Sequence, residues 1–356
     1  MLVPARNEAA VIAGTVRSIL ASDHPDLEVI VIDDGSDDTT AALAAAVDPR
    51  VRVLRRDESP GKANALRAGL DAATGEVIVT VDADTVLAPD AVRWLSLAIA
   101  HGDDAVAAHL EVGNRAGWLG QWQNLEYVTG LHLGRRAQAA VGAITTLPGA
   151  ASAFRASALR AVGGHPGRTF VEDTDVTLLL LRAGFRVAFE PRARAWTEAP
   201  TTWRGLLAQR ARWLHGYWQV LWVHRGAFLG FDALALIGMP NLLYANLVGF
   251  LLLPPAVFTA LTSPDAGTAA WAVDIVLGGL VIDLLACAAA WRLGGQDWRE
   301  LRHAPLQRLV WPWFLAVVFG ATLLRVLTRS RAWSRVVRDG SLARAASAGR
   351  VGAVAR

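Results

Sequence analysis

The sequence predicts an α/β protein with a mostly parallel sheet covered by helices, followed by amphipathic interface helices and a C-terminal α-helical membrane region. Strand-like and helix-like stretches alternate over the first 110 residues, which is typical of a parallel sheet covered on both faces. Acidic residues follow apolar strand candidates, and long hydrophobic runs begin after residue 227. We predict an α/β domain at 1–200, an amphipathic helix at 201–227, about three membrane helices at 228–328 and a basic tail at 329–356.

The alternating pattern gives the order of the elements. Short apolar runs predict strands at 2–3, 28–32, 51–54, 76–81 and 104–109, and the stretches between them predict helices at 9–20, 38–47, 63–73 and 91–100. Residues 113–136 are helical and rich in tryptophan, with Trp118, Trp122 and Leu125 on one face. A mixed pattern follows, with a helix at 173–183 and a strand at 186–189. Since only three residues precede Pro4, we expect a short first strand and a chain that lacks upstream residues.

Residues 203–225 alternate tryptophan and leucine with arginine, histidine and glutamine, which suits a helix in the plane of a membrane interface. Apolar runs follow at 236–261, 269–291 and 309–324. Because a span takes about 20 residues, the first two qualify and the third is marginal. We predict three spans, with alternatives in which the third run lies in the interface or residues 229–238 form a re-entrant piece. The arginine-rich loop 292–308 places the α/β domain in the cytoplasm of a multi-pass cell-membrane protein.

Composition narrows the functional classes. The chain has 356 residues, 53% of them hydrophobic, and a formal charge of +3. Almost every cation is an arginine beside apolar runs, and Lys62 is the sole lysine, so the basicity indicates membrane lipids and no nucleic-acid partner. One cysteine, Cys287, excludes disulfides within one chain and cysteine-ligated metal sites.

Acidic residues mark the ends of the second and fourth predicted strands. Asp33 and Asp34 follow the second strand, where a carboxylate can bind a nucleobase or ribose, and Glu8 can reach the same pocket. A turn with a left-handed Gly35 explains these residues equally well. Asp82 and Asp84, two residues apart on an extended segment, point the same way.

Two like charges so close favour a cation between them, and Mg²⁺ takes one or two carboxylates together with phosphate oxygens. A polar strand end with a helix cap at Asp84 is the alternative. Lys62 stands at a predicted helix start, which favours a bound diphosphate. A solvated lysine is the simpler interpretation there.

The third acidic cluster opens a helix with Glu172, Asp173 and Asp175. Helix capping explains one or two of these carboxylates. The remaining carboxylate can remove a proton from an attacking hydroxyl, and we favour Asp173 for this role. Further on, Gln209 and Trp213 share a helical face with Arg212 beside them. Arginine can hold a phosphate and an indole can carry a sugar ring, although an ordinary interfacial helix has the same residues.

In this order the sequence resembles family 2 glycosyltransferases, specifically the membrane-embedded processive synthases of cellulose, hyaluronan, chitin and poly-N-acetylglucosamine. The resemblance covers residues 3 to about 340, and its specific stretches are 3–8, 33–36, 61–65, 82–84, 172–175 and 209–213. Residues 123–127 and 333–340 look most like the poly-N-acetylglucosamine synthase branch. The resemblance implies a GT-A-like fold for the α/β domain.

The resemblance also implies a role for each matching residue. On the donor side, Asp34 would bind a uracil-type base, and Ala5 and Glu8 would line the pocket for that base. Lys62 would approach the donor, and Asp82 would contact the nucleotide. Asp84 would hold Mg²⁺ or Mn²⁺. On the acceptor side, Asp173 would be the general base, Gln209, Arg212 and Trp213 would bind the diphosphate and frame the acceptor sugar, and Gly149 to Ser152 would border it. Arg6 departs from the family, which usually has an aromatic residue there.

The implied reaction is an inverting transfer from a nucleotide-diphospho-sugar, UDP-linked, to a growing β-linked polysaccharide or a lipid-linked acceptor. An accessory membrane subunit is a further expected partner. Two alternatives stay open. A non-processive transferase would glycosylate a lipid phosphate with the same acids. A non-catalytic membrane subunit would bind the nucleotide-sugar or support a polymer channel, as the short first strand and Arg6 suggest.

Overall fold

A computed structural model describes residues 1–57, 61–248, 253–328, 338 and 340–347. Within these residues a single eight-stranded sheet has the order β3-β2-β1-β4-β7-β6-β8-β5. The strands are β1 Leu2–Ala5, β2 Val29–Asp34, β3 Val51–Arg56, β4 Val77–Val81, β5 Thr85–Leu87, β6 Ala105–Val112, β7 Ala151–Arg155 and β8 Val187–Thr197.

Helices cover the sheet, and the described residues after the last strand are mainly helical. The α-helices are α1 Ile12–Leu20, α2 Thr40–Ala45, α3 Lys62–Ala72, α4 Ala91–Ala100, α5 Gly117–Tyr127, α6 Gly134–Ala140, α7 Ala156–Ala161, α8 Glu172–Arg182, α9 Trp203–Val223, α10 Met239–Leu243, α11 Leu253–Thr262, α12 Ala266–Gly294, α13 Ala304–Leu327 and α14 Ser341–Ser347. Short π-helical segments lie at Val128–Leu133, Leu234–Gly238 and Tyr244–Val248, and 3₁₀ turns lie at Arg225–Leu229 and Trp298–His303.

The sheet is parallel in its first half and mixed in its second. β3, β2, β1 and β4 run parallel, while β7 is antiparallel to both β4 and β6. Apolar residues alternate between two cores, one on each face, with Val3 and Val31 on one side and Leu2 and Ile30 on the other. Since β7 starts where β4 ends, the backbone N–H of Asp82 donates to Ala150 at 3.2 Å. This pairing brings the segment before β7 to the acidic end of β4.

The first strand continues through Pro4 to Ala5, beyond the two residues that the sequence predicts. Pro4 lies opposite Ile32 of β2, and the register with β4 has only Leu2 opposite Thr80. A proline lacks the N–H that a central ladder needs, and the limited pairing with β4 explains why the strand accepts one. β1 is therefore a buried central strand, which removes one reason for a non-catalytic alternative.

The helical stretch predicted at 113–136 is observed from Gly117 to Ala140, as α5, a π-helical turn and α6. π-Helical turns widen a helix locally and often lie at functional sites. Here the turn contributes Gly130 and Leu131 to the cavity described below.

Two helical stretches in the described residues are long and apolar enough to cross a membrane, Ala266–Gly294 and Trp298–Leu327, with hydropathies of 2.2 and 1.8. The predicted first span falls on shorter helices from Leu234 onward and on residues 249–252, which lie outside the described residues. A third span therefore stays a prediction. α13 also packs along α9, where Trp203 meets Phe314 and Trp218 meets Phe319.

After these helices the chain returns to the sheet domain. Leu342, in α14, is buried in the core on one face of the sheet, and Ala343 lies against α1 at Gly14. The buried carboxylate of Glu198 accepts hydrogen bonds from the backbone N–H groups of Gly340 and Leu342 at 3.2 and 3.3 Å. Part of the predicted basic tail is thus docked on the α/β domain, while most of it falls outside the described residues.

Candidate active site

A cavity of about 560 Å³ lies between the α/β domain and the helices that follow it. Eight of the predicted site residues line it: Lys62, Asp82, Asp84, Gly149, Asp173, Gln209, Arg212 and Trp213. Residues of α10 and α13, among them Leu242, Leu315 and Val318, line the same cavity. The cavity is therefore polar where the strands end and more apolar beside the C-terminal helices.

Lys62 joins two of the acidic clusters. It opens α3, and its Nζ lies 2.6 Å from Asp82 Oδ1 and 3.0 Å from Glu172 Oε1. Burial alone would lower the pKa of Lys62, but the two carboxylates hold it above its ordinary value, so the ammonium stays charged. Two ion pairs thus hold the lone lysine at the cavity, with 35% of its side chain exposed, which argues against the freely solvated lysine considered from the sequence.

Asp84 is buried and forms an ion pair with Arg338, an arginine of the C-terminal segment. Its Oδ2 lies 2.6 Å from Arg338 Nη2, and its Oδ1 accepts hydrogen bonds from the hydroxyls of Thr85 and Thr197 at 3.4 and 3.3 Å. Burial raises the pKa of Asp84, while Arg338 opposes that rise. Asp84 is therefore a desolvated carboxylate that requires a positive partner.

The residues around Asp84 fit a divalent cation that takes part of its shell from a ligand. Asp82 and Asp84 line one cavity, and each already holds a positively charged side chain. Among the described residues, no group of three or more His, Cys, Asp or Glu side chains can hold a metal by itself. This donor set suits Mg²⁺ or Mn²⁺, which keep one or two carboxylates and fill the remaining positions with phosphate oxygens and water.

Asp173 stands at the start of α8 and faces the segment before β7. Its Oδ2 accepts the backbone N–H of Gly149 at 3.1 Å, and its Oδ1 accepts that of Thr174 at 2.7 Å. Burial and then the neighbouring Glu172 raise the pKa of Asp173 to about 6. A partly buried carboxylate with such a pKa is suited to accept a proton near neutral pH. A Cβ on Gly149 would lie 2.7 Å from Lys62 Nζ, so this position has room only for glycine unless Lys62 moves.

The long helix α9 carries Gln209, Arg212 and Trp213 to the cavity. Arg212 donates from Nη1 to the carbonyl of Phe170 at 3.5 Å. The guanidinium carbon of Arg210 lies 4.2 Å from the centre of the Trp213 ring, and Arg210 pairs with Glu126 at 2.5 Å. A second, buried arginine thus supports the ring of Trp213.

Ala5, Glu8 and Asp34 are not among the lining residues of this cavity. They lie at the ends of β1 and β2, where Ala5 stands opposite Asp33. Asp34 Oδ2 accepts the backbone N–H of Gly61 at 3.2 Å, directly before Lys62. Burial, followed by the charge of Asp84, raises the pKa of Glu8 to about 8. The residues predicted to bind the base therefore lie beside the cavity, where the bond from Gly61 links Asp34 to the segment that begins with Lys62.

The sequence did not identify three further residues of the site. Glu172 belongs to the predicted acidic cluster, yet its contact with Lys62 depends on a fold that places α3 beside α8. Glu198 directly follows β8, the same signal that marked Asp34 and Asp82. Arg338 lies in residues 333–340, which the resemblance covers without a role. Only the return of the chain to the α/β domain brings it to Asp84.

Sequence comparisons agree with these features. The family model described as glycosyltransferase like family 2 matches residues 1–216. The poly-beta-1,6-N-acetyl-D-glucosamine synthases of Staphylococcus epidermidis and Staphylococcus aureus (strain COL) are each 33% identical over 224 residues, or 62% of this chain and 54% of theirs. The chain therefore spans about half the length of these relatives.

Comparison with solved structures concerns the fold. The mannosyltransferase PcManGT from Pyrobaculum calidifontis, in complex with GDP-Man and Mn²⁺, superposes with a TM-score of 0.60 at 24% identity. The match covers 93% of this chain and 87% of that one. The two chains share both the sheet domain and the helical region that follows it.

Proposed function

Since the chain belongs to glycosyltransferase family 2, as the match over residues 1–216 establishes, we propose that it adds sugars to a growing β-linked polysaccharide at a membrane, with inversion at the anomeric carbon. The donor is a nucleotide-diphospho-sugar, UDP-linked. The GT-A-like α/β fold and the glycosyltransferase class predicted from the sequence are confirmed. The sugar, the acceptor and the processive activity are the parts that we propose.

One observation carries this proposal: Asp84, Asp173 and Arg212, from three separate stretches of chain, line the same cavity. Such a cavity combines a carboxylate that requires a cation, a carboxylate with a raised pKa and a guanidinium. These are the groups that a glycosyl transfer from a diphosphate requires for binding, deprotonation and stabilisation of the leaving group.

In the proposed mechanism Asp173 removes the proton from the acceptor hydroxyl. The acceptor oxygen then attacks the anomeric carbon from the face opposite the diphosphate, and the bond between that carbon and the diphosphate oxygen breaks. Arg212 and Lys62 stabilise the negative charge on the leaving nucleoside diphosphate. A divalent cation held by Asp84, with Asp82 beside it, supplies further neutralisation of that charge when it is bound.

The acceptor end of the cavity supports a polymer substrate. Trp213 offers an indole ring held by Arg210, and Gln209 lies one helical turn away on the same face. Beyond them the cavity reaches Leu242 and Val318 of the C-terminal helices. We place the growing chain along this direction. The names of the Staphylococcus relatives support an N-acetylhexosamine unit, and a hexose is the alternative unit of the proposal.

Two of the C-terminal helical stretches support the proposed location. α12 and the stretch ending at Leu327 are long and apolar enough to span a membrane. In this proposal the protein is a multi-pass cell-membrane protein with the catalytic domain in the cytoplasm, in contact with membrane lipids and served by an accessory membrane subunit. The exposed apolar side chains Leu229 and Phe231, at 83% and 93% exposure, lie at the boundary between the two parts of the chain and support contact with lipid.

The test is transfer of radiolabelled sugar in membrane vesicles, with a panel of UDP- and GDP-sugars and linkage analysis of the product. Asp173→Asn and Asp84→Ala should each abolish transfer, and removal of divalent cations by a chelator should do the same until Mg²⁺ or Mn²⁺ is restored. Asp26→Asn, at an exposed aspartate remote from the cavity, is the control. Full activity in both Asp173→Asn and Asp84→Ala would contradict the proposal.

A further inference from the structure

The third carboxylate of the acidic cluster, Asp175, does not line the catalytic cavity and has partners of its own. Its side chain is fully buried. Its Oδ1 lies 2.7 Å from His224 Nε2, and its Oδ2 accepts a hydrogen bond from Arg168 Nε at 2.9 Å. A buried carboxylate with two such partners is fixed in place, because loss of Arg168 would leave its charge unpaired and loss of His224 would leave one oxygen without that hydrogen bond.

His224 connects the two ends of α8. It follows the last residue of α9 and is fully buried, with Nδ1 3.4 Å from Arg182 Nη1. A second guanidinium nitrogen, Nη2 of Arg168, lies 3.5 Å from Nε2. The carboxylate of Asp175 is much closer to Nε2 and only accepts, so we assign the hydrogen to Nε2 and leave Nδ1 to accept from Arg182. Asp175 and Arg182 lie seven residues apart, in the first and last turns of α8, and share one helical face.

The same interface contains further contacts between the start of α8 and α9. The backbone N–H of Phe170 donates to Gln219 Oε1 at 3.0 Å. A Cβ on Gly216 would lie 2.7 Å from Val171 Cγ1, which shows how closely the two segments approach. α8 carries Asp173 and α9 carries Arg212. The Asp175–His224 pair thus joins the helix that holds the proposed base to the helix that holds the proposed diphosphate ligand.

We propose that Asp175 and His224 are positioning residues, which set the place of Asp173 relative to Arg212 and Trp213. This inference rests on the proposed function, in which Asp173 is the base. A shift of about 1 Å in a reacting group costs on the order of 10²-fold in rate. Asp82 and Asp84 follow β4, outside this helix pair, whereas Arg212 lies on α9. Loss of the pair should therefore lower the rate of transfer far more than the affinity for the nucleotide.

The experiment compares kcat with UDP binding in the full-length protein. In His224→Ala, kcat per UDP-binding site should fall about 10- to 100-fold, while the Kd for UDP with Mn²⁺ should change much less than kcat, since only Arg212 of the proposed diphosphate ligands lies on the helix pair. His224→Gln should recover most of the rate, because its amide nitrogen can donate to Asp175 and its carbonyl oxygen can accept from Arg182. Expressing kcat per UDP-binding site removes the effect of any unfolded fraction.

Two variants separate positioning from general stability. Leu221→Ala removes a buried side chain from the same end of α9, so it should lower the unfolding temperature and keep kcat per site. Asp175→Asn removes the charge of the pair and should lower kcat as His224→Ala does, which keeps the proposal testable if His224→Ala fails to fold.

Three results would overturn the inference: unchanged kcat per site in His224→Ala or Asp175→Asn, an equal loss of kcat per site in Leu221→Ala, or a UDP affinity that falls in parallel with kcat. Asp173→Asn distinguishes this failure from that of the proposed function. If Asp173→Asn is inactive and His224→Ala is normal, only the positioning role is lost. If Asp173→Asn is fully active, the proposed mechanism itself is wrong.

Discussion

At the scale of single residues, the ionisation of Asp173 sets the lower pH limit of transfer. Burial and Glu172 raise its pKa to about 6, and only the ionised carboxylate can accept the proton of the acceptor. The rate should therefore fall about tenfold per pH unit below pH 6 and level off above it. The measurement is kcat/KM for transfer between pH 4.5 and 8.5.

Asp173→Asn provides the control for that profile. The variant should lose about 10²- to 10⁴-fold in kcat, the usual contribution of a general base, and its residual activity should lack the limb near pH 6. An acidic limb at the same pH in the variant would assign it to a group other than Asp173; Glu172 is not that group, because burial would raise its pKa but Lys62 holds that pKa below its ordinary value.

Arg338 gives a prediction about metal binding. Its guanidinium lies 2.6 Å from Asp84 Oδ2, an oxygen that a metal ion would also need. Arg338→Gln removes this competitor and leaves a buried carboxylate without its cation, so Mn²⁺ should bind about tenfold more tightly, or roughly 1.4 kcal/mol. Calorimetry or Mn²⁺ electron paramagnetic resonance on the donor-free protein measures this change.

The matched control is Arg17→Gln, at an exposed arginine of α1, which should leave Mn²⁺ affinity as it is. Equal or weaker binding of Mn²⁺ by Arg338→Gln would show that the guanidinium and the metal do not compete for Asp84.

These residues also show what a sequence reveals about a site. Asp82, Asp84 and Asp173 were singled out because carboxylates at strand and helix ends can converge on one crevice, although helix capping is a structural reason for some of them. Arg338 was not given a role, because its contact with Asp84 joins positions more than 250 residues apart. No local sequence pattern predicts where the segment containing Arg338 docks after two long helices. The ion pairs of Lys62 with Asp82 and Glu172 argue against a solvated lysine, and they join residues too far apart in the sequence to be predicted from it.

At the scale of elements, the close approach of α9 to the start of α8 gives a stability prediction. A Cβ on Gly216 would lie 2.7 Å from Val171 Cγ1 and 3.1 Å from its backbone nitrogen. Gly216→Ala should lower the free energy of unfolding by about 1–3 kcal/mol, although alanine favours a helix over glycine by roughly 1 kcal/mol. Chemical denaturation in detergent measures this difference.

Gly320→Ala is the matched control, since Gly320 is also helical and a Cβ there meets no atom within 4 Å. That variant should be as stable as the wild type or slightly more so. If Gly216→Ala were equally stable, the two helices would have room to separate, and the contact would not hold α8 in place.

The elements also differ in how far the sequence predicts them. Strands β2 and β4 and helix α4 follow from runs of apolar residues and agree with the structure within two residues. β5 and β7 were not predicted, because three to five residues that pair antiparallel with distant strands carry no period of their own. A mostly parallel sheet was predicted, without an order of strands, and β3, β2, β1 and β4 are parallel. The mixed second half depends on long-range pairing.

At the scale of the whole molecule, apolar runs in the sequence predict where helices form, but they do not show which of these helices cross a membrane. The run at 309–324 was marginal in the sequence, and its helix, α13, packs along α9 through Phe314 and Phe319. An apolar helix beside an amphipathic one can cover an interface or cross a bilayer, and length does not decide between these. The orientation of the chain requires a direct measurement.

The loop between α11 and α12 allows that measurement, because the chain has one cysteine. Cys287 accepts hydrogen bonds from Arg308 at 3.0 Å, and serine can accept them too, so Cys287→Ser should give a folded background without cysteine. In that background we expect Ala266→Cys, at the exposed start of α12, to react with a membrane-impermeant maleimide in intact cells. Arg17→Cys, on the α/β domain, should react only after the cells are permeabilised. Labelling of Arg17→Cys in intact cells would place the catalytic domain outside the cell. Because the proposed donor is a cytoplasmic nucleotide-sugar, that result would contradict the proposed orientation and direction of synthesis.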